Sequence, residues 1–100
     1  MVSIVVSYQA EADLDNAGKW YDKKLRGLSI RLFDEIDEYL NKIQNNPFSF
    51  SVRKEGSDTR RCGLKKFPYN IYFTVENERV FVIAILHKSR SSRFVKKRLK

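Results

Sequence analysis

One hundred residues with 42% hydrophobic and 13% aromatic content suffice for one compact domain over residues 1–100, but not for a second core. No apolar run is long enough to span a bilayer, which excludes a helical membrane span, and Met1 to Ala10 alternates in character where a signal peptide would carry an unbroken apolar segment. A lone cysteine, Cys62, excludes an internal disulfide and has no partners at metal-ligand spacing; these features predict a soluble cytoplasmic protein with no metal, cofactor or membrane contact. The net charge of +8 is unevenly held: residues 1–50 carry 6 Lys/Arg against 8 Asp/Glu, and residues 51–100 carry 14 against 4. Cations so clustered repel one another unless an anionic partner relieves them, so the second half is expected to face nucleic acid or an acidic protein.

Val2, Ile4, Val6 and Tyr8 alternate with Ser3, Val5 and Ser7, the period-2 pattern of a strand with one buried face. From about Gln9 the period changes. Ala10, Leu14, Ala17, Tyr21 and Leu25 form an apolar stripe along a helix, which Gly27 breaks. Leu28, Leu32, Ile36, Leu40 and Ile43 repeat the stripe until Asn45, Asn46 and Pro47 stop the second helix. The short Arg26–Gly27 link makes the pair an antiparallel hairpin.

Residues 48–59 read as a surface connection. A short strand is expected over Thr59 to Leu64, followed by a longer one in which Tyr69, Ile71, Phe73 and Val75 alternate with polar neighbours. Asn77 and Glu78 make a hairpin turn. Val80 to Leu86 is apolar without alternation, as in a central strand covered on both faces or at a protein interface, and ends at the chain's single histidine, His87. The basic tail from Lys88 to Lys100 is expected to be a short helix or a frayed end. The predicted fold is α+β: an antiparallel four-stranded sheet in the order β-α-α-β-β-β with the helical hairpin on one face.

In order and spacing, Ala12-Asp13-Leu14, Ala17, Trp20-Tyr21, Gly27-Leu28, Phe33, Ile43 and Pro47 resemble the helical hairpin of RelE/ParE toxins. Arg60-Arg61, Leu64, Phe67-Pro68-Tyr69, Ile71, Tyr72 and the apolar strand into His87 and Arg90 are similar to that family's sheet. The resemblance covers Val2 to about Arg98. It implies the toxin of a type II toxin–antitoxin pair, held inactive by a cognate antitoxin whose flexible segment wraps the sheet and helices.

RelE-type members cleave messenger RNA on the ribosome. Attack of a ribose 2′-hydroxyl on the adjacent phosphate needs a proton acceptor, a proton donor and cations for the developing charge, and no metal. The resemblance makes His87, Arg61 and Arg90 the expected catalytic set, with Arg60, Lys65, Lys66, Lys88 and Arg93 as phosphate contacts. His87 titrates near neutrality in its unperturbed state, and guanidinium forks suit phosphate. Arg60 and Arg61 alternate on a strand, so one of them turns away from any shared site. Each of these residues also has a structural role open to it: His87 as the close of a strand or a contact for the antitoxin, Lys65 and Lys66 as a solvated turn, Trp20, Tyr21 and Tyr69 as core or interface aromatics, and Cys62 as buried filler.

Two positions depart from the nuclease members. Asn70 stands where they often carry arginine, and the chain offers Phe94 where many carry a tyrosine. Three readings therefore stay open: a ribosome-dependent ribonuclease; a non-enzymatic toxin of the ParE kind that poisons DNA gyrase by binding; and a detoxified relative that only pairs with an antitoxin or represses transcription with it.

Overall fold

A computed structural model describes residues 2–52, 58–90, 95 and 98. Its elements are β1 (Ser3–Val6), α1 (Tyr8–Lys24), α2 (Leu28–Asn45), a 3-10 turn (Pro47–Ser49), β2 (Arg60–Gly63), β3 (Tyr69–Glu76) and β4 (Arg79–His87). β1 stops two residues short of the alternating pattern because Ser7 caps α1: its extended backbone and its Oγ, 3.0 Å from the Ala10 amide, satisfy a free N–H of the first turn. Tyr8 therefore opens the helix, almost fully exposed, instead of closing the strand.

The helices meet tightly at Gly18, where an added Cβ would fall 2.7 Å from the Phe33 ring. Gly27, at φ +84°, turns the chain between them in the left-handed region that other residues resist. α2 has no acid in its own first turn. Asp22 of α1 supplies one, accepting from the Ser29 amide at 2.9 Å and from the Ser29 hydroxyl at 2.8 Å. These two bonds hold the Asp22 carboxyl below the ordinary carboxylate range and place negative charge at the positive end of α2.

The sheet runs β1-β4-β3-β2. β2/β3 and β3/β4 are antiparallel, but β1 and β4 are parallel, Ser3 facing Arg79 and Val6 facing Val82; the expected all-antiparallel sheet is thus corrected to a mixed one. Counting reversals gives the reason. α1 leaves in the direction of β1, since Ser7 bonds Val82 and Asp13 bonds Ile85 further along β4. α2 returns, with Glu35 at the β2–β3 turn and Gln44 back at the Val2 carbonyl. β2 then starts where β1 started, and two hairpins later β4 points the same way as β1. A parallel neighbour needs such a crossover, and the helical hairpin is part of it.

Asn77 and Glu78 both take positive φ, 49° and 63°, as a two-residue hairpin of matching twist requires. In the β3–β4 ladder Tyr72 faces Ala84 and Phe73 faces Val82, so Ile83 is an extra residue, a β-bulge. It explains the missing alternation: Val80, Val82 and Ile85 all join the core under the helices, whereas Ala84 and Leu86 pack with Tyr72 and Val95 on the opposite, back face. The main core joins Ala10, Ala17, Leu32, Ile36 and Ile43 to Ile71, Phe73, Val80 and Val82. Cys62 lies in it, and burial pushes its thiol from 9.0 to about 11, the behaviour of a filler thiol. Among the described residues no helix is long and apolar enough to cross a membrane. The expected C-terminal helix or tail, Arg93 included, lies outside the described residues apart from Val95 and Arg98.

Candidate functional site

The residues singled out from sequence fall on opposite faces of the sheet. On the helix face, a cleft of about 320 Å³ opens between α1 and the end of β4, bounded by Asp13, Asn16, Trp20, Tyr69, His87 and Arg90. Trp20, Tyr69 and His87 of its lining are braced by ring contacts reaching beneath it: Trp20 edge-on to Tyr21 at 4.9 Å, Tyr21 to Phe67 at 5.1 Å and tilted against Tyr69 at 6.1 Å, and Tyr69 edge-on to His87 at 5.3 Å. Trp20 is 53% exposed and its ring carries the Lys24 ammonium at 4.9 Å; a half-exposed indole beside cations is typical of a binding surface. Burial pushes both tyrosine hydroxyls above the ordinary range; Tyr21 adds to this for Tyr69 and Arg90 opposes it.

His87 closes β4. Its Nδ1 accepts the Ser89 amide at 3.1 Å and lies 2.9 Å from the Ser89 hydroxyl. The backbone donation assigns the proton of the neutral ring to Nε2. Asp13 is committed elsewhere: it accepts the Ile85 amide at 3.0 Å and grips Arg98 with both oxygens, Arg98 Nη2 at 2.9 Å, while Arg98 Nη1 also donates to the bulged Ile83 carbonyl at 3.2 Å. The carboxylate raises the Arg98 pKa further. Because β1 pairs β4 only as far as Val82, these bonds close part of a strand edge that would otherwise lie open.

On the back face a second cleft gathers Ser51, Arg61, Gly63, Asn70 and Lys88. Lys88 Nζ donates to the Leu64 carbonyl at 3.1 Å. Asn70, 7% exposed, donates to the Tyr72 hydroxyl at 3.3 Å. Expected catalytic residues are thus divided: His87 and Arg90 share the helix-face cleft, and Arg61 sits with Lys88 behind the sheet.

The remaining expected contacts are scattered. Arg60 is turned from Arg61, as alternation requires; it donates to the Phe50 carbonyl at 2.6 Å and stacks on Phe48 at 5.1 Å, tying down the connection after α2. Lys65 and Lys66 lie exposed in the β2–β3 turn, and Lys66 borders a groove shared with Asp34, Glu35 and Glu38, an acidic setting unsuited to phosphate. Their amides and that of Phe67 all point at the buried Glu35 carboxylate, at 3.1, 2.7 and 3.0 Å. Neither acid is among the expected site residues: Glu35 is no part of any motif, and Asp13 enters only through the resemblance of Ala12-Asp13-Leu14. The signal was available: each is three residues after a stripe position, Leu32 or Ala10, so each acid faces inward and must find donors there.

The comparisons with known proteins agree with this architecture. The family model of the ParE toxin of the type II toxin–antitoxin system parDE matches residues 4–92. The chain belongs to the ParE toxin family. Among solved structures, a chain of the chromosomal ParDE system from P. aeruginosa superposes with a TM-score of 0.77 at 21% identity, covering 87% of this chain and 96% of that one. The isolated E. coli RelE toxin superposes at 0.62 and 17% identity, over 100% of both chains. At such identities the likeness of these two is one of fold. No curated protein matches the sequence. As a ParE-family member the chain is the toxin of a type II toxin–antitoxin pair, and the family implies a cognate antitoxin.

Proposed function

We propose that this ParE-family toxin arrests growth by binding, with DNA gyrase as its target, and cuts no RNA. The observation that carries the reading is the division of the expected catalytic set between two faces. Cleavage through a 2′-hydroxyl needs proton transfer and cationic stabilisation at one phosphate. The expected proton-transfer group, His87, has only Arg90 of that set beside it on the helix face; Arg61 lies on the other face with Lys88, beside Asn70, which carries no charge. The ParE family match supports the same reading.

On the helix face, Trp20, Tyr69, His87 and Arg90 then act as contacts for a protein surface: an aromatic wall with a cationic rim, the composition that concentrates binding energy at interfaces. The antitoxin, a flexible acidic or amphipathic segment, silences the toxin by covering these surfaces in the cytoplasm. The test is to induce the isolated chain in bacteria, mapping messenger RNA 5′ ends while recording the supercoiling of a reporter plasmid. Intact transcripts with relaxed or broken plasmid DNA are the expected result. New in-frame cuts with unchanged supercoiling refute the proposal and return the chain to the ribonuclease class.

A further inference from the structure

The back-face cleft has a construction that the gyrase reading leaves unused. We propose that Arg61, Lys88, Asn70 and Gly63 form a subsite for a carboxylate, taking an aspartate or glutamate side chain of an acidic peptide segment. Among the described residues the Arg61 side chain makes no hydrogen bond or ion pair, its amide alone being bonded, to the Ser51 carbonyl, so the five guanidinium donors face the cleft and solvent. Lys88 spends one donor on the Leu64 carbonyl, which fixes the ammonium over the cleft and leaves two more. Asn70 is buried on the floor, and its Oδ1 takes no hydrogen bond from the described residues. Space for a ligand exists because residue 63 has no side chain: a Cβ there would stand 3.2 Å from Asn70 Oδ1 and 3.6 Å from Lys88 Nζ, in the middle of the donors.

The same groups favour peptide over nucleic acid. A DNA backbone offers only acceptors and an RNA backbone adds only its 2′-hydroxyl, whereas the Asn70 oxygen asks for a donor; a peptide brings a backbone N–H with every carboxylate it presents. Single-stranded nucleic acid also gains most from bases stacked on exposed aromatics. The aromatic nearest the cleft floor, Tyr72, is 5% exposed and packed with Ala84, Leu86 and Val95. The proposal draws on the toxin–antitoxin reading only for the source of the peptide, since an antitoxin segment of acidic character would carry such side chains.

The experiment is a nuclear magnetic resonance titration of the purified chain, observing the Arg61 Nε–H and Asn70 Nδ2 side-chain signals. The probes are a blocked peptide of alternating glutamate and leucine, the same peptide with glutamine for glutamate, and an oligouridylate. The glutamate peptide is expected to shift both signals saturably and to bind at least tenfold tighter than the glutamine peptide. Arg61→Gln is expected to weaken it about tenfold, the worth of one charge-assisted hydrogen bond at a partly exposed site. Gly63→Ala, which keeps the charge and fills the space, is expected to weaken it as much while the sheet amides hold their positions. Equal binding of the two peptides, indifference to both substitutions, or tighter binding of the oligouridylate at the same signals overturns the proposal. Because binding is read on the purified chain, its outcome is separate from whether the protein acts on gyrase.

Discussion

Replacing Glu35 with alanine tests the reading of the β2–β3 turn most directly. The carboxylate is 4% exposed and receives three backbone donors, from Lys65, Lys66 and Phe67, at 2.7 to 3.1 Å. A hydrogen bond to a charged acceptor contributes about 1.5–3 kcal/mol, and a stranded buried donor costs about 1–3 kcal/mol. Lys65 and Lys66 are exposed residues whose amides can recover water, so only the Phe67 amide is expected to bear its full cost. Two lost bonds at about 1.5 kcal/mol or more and one stranded amide at about 1 kcal/mol or more sum to a loss of about 4 kcal/mol or more, a large share of a small domain's stability. Glu35→Gln retains one acceptor oxygen but turns an NH2 toward a donor, and should lose about 2 kcal/mol. Urea unfolding followed by circular dichroism measures both, with hydrogen exchange of residues 65–67 locating the loss. A loss below about 1 kcal/mol for Glu35→Ala, or exchange that speeds up everywhere except at the turn, would refute the reasoning.

Other perturbations follow from the same structure. Asp22→Ala removes the cap that α1 lends to α2 and should lower the urea midpoint; since its folded pKa is lowered, the carboxylate's contribution is present above the unfolded pKa and is lost as pH falls through the folded one. Asp13→Ala strands the Ile85 amide and unpairs Arg98, and should lower the thermal midpoint more than Arg98→Ala, which leaves the amide bonded. Cys62, with its folded pKa raised to about 11 from 9.0, is neutral in the native state where the unfolded thiol has already ionised. Stability should therefore be undiminished below pH 9 and decline between pH 9 and 11 by about 2–3 kcal/mol at most, less in a Cys62→Ala variant compared with its own neutral-pH value. Glu78→Gly relieves a positive φ at a cost in unfolded-state entropy and should raise stability by about 0.5 kcal/mol.

Most of the elements could be read from sequence because periodicity reports which face of an element meets the core. The stripes Ala10–Leu14–Ala17–Tyr21 and Leu32–Ile36–Ile43 became the helix faces of the main core, and Asn77–Glu78 became the hairpin turn. What periodicity does not encode is strand direction. β1 carries the same alternation whether β4 runs with it or against it, and the choice is made by the number of chain reversals between them. The bulge at Ile83 was hidden for a related reason: an inserted residue and a strand covered on both faces each erase alternation, and here both are present. For the site, residue type was a poor guide to place. Arg60 and Arg61 separate by alternation alone, as expected, yet that His87 would lie opposite Arg61 depends on the bulge, which resets the facing of every β4 residue after it. Asn70 and Gly63 drew notice only as a missing charge and as no feature at all; their importance arises from a register that sets one directly across from the other.

The parallel seam between β1 and β4 also sets the order in which the chain can fold. It joins residues 3–6 to residues 79–82, so it is the least local contact in the sheet, and the entropy of closing so long a loop must be met before the seam returns any stability. The helical hairpin and the β3–β4 hairpin depend on near neighbours and are expected to form ahead of it. The hairpins are thus expected to be built while Ile4 and Val6 remain in water and the outer edge of β4 is still unpaired, an order that φ-values for β1 and for the β3–β4 hairpin would check. A partner that recognises that edge would meet the toxin before its sheet is complete, and would compete with the chain's own first strand for the same row of backbone groups.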